Sequence, residues 1–466
     1  MPKHTALPTQ PGRGAPMSSA TASVATQPRG AGTDYRPWPT AAPGWRRSQG
    51  RPPDNAPGPK TERVAAIDSA RGLAIALVML SHFAMRFATE AGMEGMLRWP
   101  VIVGMIASPT FILLSGAVYG TLSCSPGTNV GRLRNILFDR GLFLIVVAHP
   151  LLGASNLLRA TPGAWHHLYI TDALAPALLF GPAVAGRTRP ATRVILGCAL
   201  ILASWMVLGL STLDVLAPDV RSLGVIVREA LVGTLQHGGE TWWGYHWPLA
   251  EWFGVYLIGT AVGESLASRP ASPWKESRSR WILRVGVLSA TAGAALNLCL
   301  LAAVRSDLVN RAMMPIASRF GSVQSKFPPS PAYLLWFGGI GLVLIALMYA
   351  DIQAGWHTLL SRVTRPMGRS SLVLFIASDY LFHVPFIFWH PRGLGWWFPA
   401  FVMTLLPLYW IATIWAGANG NRFLTVGYPY KGLALWWRRS IGRSKSARRR
   451  YRLVSNAATG AIARAR

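Results

Sequence analysis

The chain has 466 residues, 51% of them hydrophobic and only 14% charged. An ordinary soluble domain carries about 25% charged residues, so the composition excludes that class and points to a membrane protein with many spans. The formal charge of +28 suggests nucleic acid. However, the basic residues gather in two tails and in alternate loops, as the positive-inside rule requires, and no aromatic-basic recognition module accompanies them.

Residues 1–62 are rich in Pro, Gly, Ala, Ser and Thr with scattered Arg and Lys. Such a segment cannot bury a core and reads as a disordered basic tail. It holds no apolar run of signal-peptide length, and Met17 is an alternative start. Residues 63–437 read as the transmembrane domain. Residues 438–466 read as a basic cytoplasmic tail whose Arg448, Arg449 and Arg450 suit anionic inner-leaflet lipids.

Apolar runs predict ten spans, near 64–84, 100–122, 138–155, 166–186, 192–213, 246–266, 282–304, 332–350, 370–389 and 396–416. The predicted fold is all-α, a polytopic membrane bundle of about ten transmembrane helices. Segment 222–236 is amphipathic, carries Arg228 and Glu229, and reads as an interfacial or re-entrant helix. Arginines near 132–140, 187–193, 269–284 and 362–369 mark the inner loops, giving both termini inside. Loop 305–331 breaks the pattern, with Arg305, Arg311, Arg319 and Lys326 on the exported side. Either an anionic or sugar substrate or a different span count accounts for it. Cys124, Cys198 and Cys299 show no metal or disulfide spacing and read as small buried hydrophobes.

The first span carries the clearest functional signal. Arg71 and His82 lie eleven positions apart, on one helix face and about 16 Å apart along the axis. If Arg71 marks one membrane surface, His82 lies near the middle, where ionisable groups are costly and face a protein interior or a cavity. A neutral imidazole there can act as a general base; the bland reading is a structural histidine bonded to a neighbouring helix. Asp68, three residues before Arg71, can pair with it, and Arg71 either anchors the span or orients a phosphorylated donor.

Further along, Ser115 and Gly116 suit close helix packing, with a polar contact from Ser115 to substrate as the second reading. Arg132, Arg134 and Arg140 either obey the positive-inside rule or hold phosphate through their guanidinium forks. On the outer side, Trp165, His166, His167 and Asp172, and then the Trp- and Tyr-rich stretch 242–247, form an aromatic belt with possible sugar contact. Adjacent histidines do not support a helical metal site. Lys326 precedes a Pro-rich approach to the eighth span and could meet a substrate or a lipid headgroup.

The arginine, ten residues and histidine of the first span resemble the signature of integral membrane acyltransferases of the acyltransferase-3 type. Three stretches resemble the bacterial branch related to heparan-alpha-glucosaminide N-acetyltransferase: 326–333; 247–254 with Gly259 and Gly263; and 368–376 followed by His383. The resemblance implies a bundle of about ten helices that passes an acyl group, acetyl above all, from cytoplasmic acyl-CoA to a glycan on the far side. It implies His82 and Arg71 as catalytic residues, and Arg132 and Arg134 near the inner basic motif. One departure stands: the animal enzyme places its catalytic histidine in the loop after the first span, and residues 83–99 contain none.

Together these readings describe a membrane O- or N-acyltransferase of a bacterial inner membrane. Acyl-CoA (acetyl-CoA) would be its co-substrate, with no tightly bound cofactor or metal. The bilayer and an envelope saccharide would be its partners. Arg140 would complete the donor's phosphate site. His166, His167, Ser115 and Lys326 would contact the acceptor. A transporter or flippase of an envelope precursor, or a non-catalytic scaffold, are the competing readings.

Overall fold

Long apolar runs with few charges leave a backbone no partner but itself, so the chain folds into helices. The computed structural model describes residues 59–87, 95, 98–125, 127–157, 168–212, 223–233, 247–267, 276–306, 309, 313–388 and 394–426. Among them the chain is helical with no strand: α1 (Pro59–Phe87), α2 (Arg98–Gly104), α3 (Ala107–Ser123), α4 (Val130–Phe143), a π turn (Leu144–Ala148), α5 (His149–Leu157), α6 (Ile170–Ala185) and α7 (Pro190–Thr212). There follow α8 (Leu223–Val232), α9 (Leu249–Ala267), α10 (Glu276–Arg305), α11 (Met314–Phe320), α12 (Pro331–Gln353), α13 (Leu359–Arg369), α14 (Ser371–Phe388) and α15 (Leu394–Gly417). Seven helical stretches are long and apolar enough to cross a membrane, and two more, Ile170–Ala185 and Ser371–Leu381, are shorter. Each of the ten expected spans coincides with a helical segment, and the expected amphipathic piece is α8. The protein is a polytopic all-α membrane bundle.

Burial separates the centre from the rim. In the 18-residue apolar stretches within α2–α3 and within α12, 67% of the residues are buried; in that of α10 only 6% are. Leu288 of α10 and Met403 of α15 turn outward, 68% and 74% exposed. In a bilayer such positions lose nothing by facing lipid. The same logic corrects the reading of the cysteines: Cys124, Cys198 and Cys299 are exposed free thiols rather than buried ones.

Two glycine contacts set the site. Across α3 and α9, a Cβ at Gly259 would lie 2.1 Å from the Leu113 carbonyl oxygen and one at Gly263 2.1 Å from that of Ala117. Small residues are what let two helix backbones meet this closely, as the Ser115–Gly116 pattern suggested. Across α1 and α13, a Cβ at Gly72 would strike the Thr364 carbonyl at 1.8 Å and one at Gly368 that of Asp68 at 1.7 Å. This seating brings Arg369 and Ser371 beside the first span.

Candidate functional site

Arg71, Ile75, Val78 and His82 follow the i, i+4, i+7, i+11 rhythm of one helix face. All four line cavities. Arg71, Ile75 and Val78 face one cavity of about 100 Å³; His82 faces another of about 530 Å³. The shared face is therefore as expected. Within the apolar stretch Ala65–Met85, Arg71 lies six residues from one end and His82 three residues from the other.

The Arg71 cavity joins a second one of about 290 Å³ through Arg71, Val118, Arg140, Arg369 and Asn421, which line both. Three guanidinium groups thus converge from α1, α4 and α13. Arg71 Nη2 donates to Ser371 Oγ at 2.6 Å, and its guanidinium lies 5.6 Å from the centre of the Phe111 ring, a cation–π distance. Asp68, expected to pair with Arg71, lies within reach of its charge, and its carboxylate accepts a hydrogen bond from Arg369 Nε at 3.2 Å. Asn421 Nδ2 donates to the Arg369 carbonyl at 2.7 Å, and Trp415 Nε1 donates to Asn421 Oδ1 at 3.1 Å. Arg71 Nε and, further up the cavity, Thr171 Oγ1 are buried with no hydrogen-bond partner among the described residues. Buried donors of this kind are costly unless something engages them.

The His82 cavity is built from Ser81, His82 and Met85 of α1, Val101 and Met105, Trp247, and the 318–327 segment including Arg319, Gln324, Ser325 and Lys326. The Lys326 ammonium lies 5.2 Å from the centre of the Trp247 ring and 5.1 Å from that of Phe327, and the two rings meet edge to face at 5.0 Å. Burial pushes the Lys326 amine down to about 8 because the charged form loses its water. The segment that carries it is tied down. Ser330 Oγ accepts from the Tyr333 backbone N–H at 2.9 Å and donates to the Ser322 carbonyl at 2.7 Å. Trp205 Nε1 donates to the Pro329 carbonyl at 3.1 Å. The Phe327–Pro328 peptide is cis.

The two sets of cavities approach each other from opposite ends of the bundle. Val78 and Ser108 belong to one wall, Ser81 and Met105 to the other, a helical turn apart on each helix. Here the span is broken, with Met105 and Ile106 forming a turn between α2 and α3. The break has a local cause. Pro109 has no N–H to give the Met105 carbonyl four residues back, and Tyr333 OH donates to that carbonyl instead, at 2.9 Å.

The structure therefore gathers Arg71, Arg140 and Ser115 at one cavity and His82 and Lys326 at another. The Ser115 hydroxyl donates to the Phe111 carbonyl at 2.8 Å, and the residue lies with the arginines rather than with Lys326. Arg132, exposed, and Arg134, half-buried, line none of these cavities; the Arg132 backbone N–H is capped by Asn129 Oδ1. His166 and His167 lie outside the described residues. Asp172 closes the start of α6 by accepting from the Tyr169 N–H at 2.7 Å and shares a 2.9 Å hydrogen bond with His149 Nδ1. Sequence reasoning missed Arg369 and Asn421 as cavity residues. The 368–376 stretch held the signal for Arg369; nothing marked Asn421.

Residues 63–296, half of the chain, match the family described as Heparan-alpha-glucosaminide N-acetyltransferase, catalytic. No curated protein and no solved structure matches the chain.

Proposed function

The chain belongs to the heparan-alpha-glucosaminide N-acetyltransferase catalytic family and is a membrane acetyltransferase, and from that premise we propose that it passes the acetyl group of cytoplasmic acetyl-CoA to a saccharide on the other side of a bacterial inner membrane. In this reading the arginine-lined cavities open to the cytoplasm and both termini lie there. Arg71, Arg140 and Arg369 hold the donor's diphosphate, since guanidinium forks match phosphate oxygens. Arg132 and Arg134, earlier on the same helix as Arg140, draw the polyanion toward the mouth. The pantetheine arm follows the apolar face of Ile75 and Val78, and the thioester reaches the level of His82.

The acceptor enters the larger cavity beside Lys326. His82 takes the proton from its hydroxyl or amine as the oxygen or nitrogen attacks the thioester carbonyl. The carbon–sulfur bond breaks, the CoA thiolate leaves, and the proton passes from His82 to that sulfur. General-base catalysis of this kind is worth about 10²- to 10⁴-fold, and holding the two reactants on either side of one helical turn supplies much of the rest.

The observation that carries this reading is the approach of a three-arginine cavity and a histidine–lysine cavity across a single turn of α1. The test is a thermal shift of the detergent-solubilised protein with acetyl-CoA, paired with acetyl transfer by wild type and His82→Ala. The shift should appear in both proteins and transfer in the wild type alone. Absence of the shift, or wild-type transfer by His82→Ala, would refute it.

A further inference from the structure

The short helix α13 lies between two apolar segments, Pro331–Gln353 and Ser371–Leu381. Its depth in the bilayer follows from its seat on α1. Ser69 Oγ donates to the Ser361 carbonyl at 3.2 Å, and Gly72 meets the Thr364 carbonyl. The apolar stretch of α1 starts at Ala65, so these contacts fall about 6 to 10 Å along it, at a rise of about 1.5 Å per residue. Helices that lie flat in the boundary between headgroups and acyl chains sit at this depth, about 5–10 Å.

The circumference of α13 is divided to match. Ser361, Thr364, Met367 and Gly368 are buried and face the bundle. At about 3.6 residues per turn, Leu359, Val363 and Pro366 share a strip on the outward side, and Arg362, Arg365 and Arg369 share the strip beside it. Leu359 is 78% exposed, and Trp356, in the turn just before the helix, 73%. That turn is tied down: the Thr358 backbone N–H and hydroxyl both donate to the Asp351 carboxylate, at 3.3 and 3.2 Å. Of the three arginines, Arg365 and Arg369 lie within reach of the charge of Asp68. Arg362 is exposed and forms no ion pair among the described residues. Water is a poor partner for the apolar strip, and acyl chains are a poor partner for the basic one. The edge of a charged leaflet suits both.

We propose that α13 is an in-plane helix that binds anionic phospholipid, with Trp356, Leu359 and Val363 entering the acyl boundary and Arg362 engaging the headgroup. The headgroup carries net negative charge, because a zwitterionic one already supplies its phosphate with a cation. Tryptophan at the boundary and arginine at the phosphates are the ordinary anchors of this layer. The inference does not rest on the acetyltransferase reading.

The full chain is placed in nanodiscs of phosphatidylcholine doped with brominated phosphatidylglycerol or, at the same mole fraction, brominated phosphatidylcholine. Bromine quenches tryptophan on contact. The chain has 20 tryptophans, so the Trp356 signal is the quenching that disappears in Trp356→Phe. Brominated phosphatidylglycerol should quench this component more strongly, with a local enrichment of up to about fivefold, the worth of one arginine beside an anionic headgroup. Arg362→Gln should bring the two lipids level, and Arg362→Lys should keep most of the preference. Both substituted residues are exposed, and a melting curve checks that the variants fold. Equal quenching by the two lipids overturns the proposal, as does a preference that survives Arg362→Gln. A Trp356 component that neither lipid reaches also overturns it, and a dimer broken by Leu359→Asp would then give the face to a second copy of the chain. Hydrogen exchange of residues 356–365 in the unsubstituted chain needs no variant: it should be slower in discs containing phosphatidylglycerol than in phosphatidylcholine alone, and equal rates refute the anionic site.

Discussion

Arg71 offers the sharpest test of the inner site, and Arg71→Met is the variant to make. Methionine keeps the length and the contact with Phe111 while removing the guanidinium. The loss on binding is one charged partner for a phosphate oxygen, about 1.5–3 kcal/mol, or roughly ten- to 150-fold in the dissociation constant of acetyl-CoA. The cost to folding should be smaller. Ser371 Oγ loses its 2.6 Å donor, but a buried Nε without a partner disappears with it, so the two changes offset to within about 1 kcal/mol. Calorimetry with acetyl-CoA reads the first quantity and a melting curve the second. Arg132→Gln and Arg134→Gln are the controls. Neither residue lines the two arginine-lined cavities, so each should weaken binding only about two- to threefold, and less at high salt. An Arg71→Met constant within threefold of wild type, or an equal loss in the Arg132 and Arg134 variants, would refute the placement of the phosphate site.

Three further outcomes are expected. His82→Ala should lower acetyl transfer by about 10²- to 10⁴-fold with acetyl-CoA affinity unchanged by calorimetry; a parallel fall in affinity would show that the residue serves the donor site instead. Gly259→Val should lower the melting temperature by several degrees, because its Cβ would meet the Leu113 carbonyl at 2.1 Å and overpacking costs about 1–3 kcal/mol. Gly338→Ala, whose Cβ would meet nothing nearer than Pro109 Cβ at 3.9 Å, should leave melting unchanged or raise it slightly.

Much of the fold was legible because one physical demand governs it. Membrane helices need long apolar runs, and those runs stand out in the sequence. The 71, 75, 78, 82 rhythm was legible for a related reason: a polar or ionisable group costs too much in a span to lie anywhere but on an interior face. Long-range pairing left no such trace. Asp68 bonds Arg369 across 301 positions, and the nearer Arg71 was the natural guess because helix periodicity reports only local neighbours. The cluster of polar partners around Arg71, with Ser371 and Arg369 from the far end of the chain, likewise left no local trace. The meeting of Lys326 with His82 depends on the fold of the 322–333 segment and on Trp247, none of which has a period to read.

On the proposed mechanism, the layer between the cavities is where donor and acceptor would meet. A thioester held by arginines on one side and an acceptor held beside Lys326 on the other can react only if one of them passes the level of Val78, Ser81, Met105 and Ser108. An unbroken pair of packed helices would seal that level. Instead the second span is interrupted there. The Met105 carbonyl, deprived of its usual donor by Pro109, is held by the buried Tyr333 hydroxyl, which comes from the same segment that positions Lys326. Gly104 deepens the contact, since a Cβ there would fall 2.2 Å from that of Ser81. The facing walls of the His82 cavity and the Arg71 cavity thus meet at one irregular turn, joined by Tyr333 to the lysine loop. Packing alone does not require a proline, a missing helical bond and a tyrosine substitute at this level. The proposed transfer, which would bring two substrates from opposite faces of a membrane to one imidazole, calls for a thin, shaped partition, and the interrupted span would supply it.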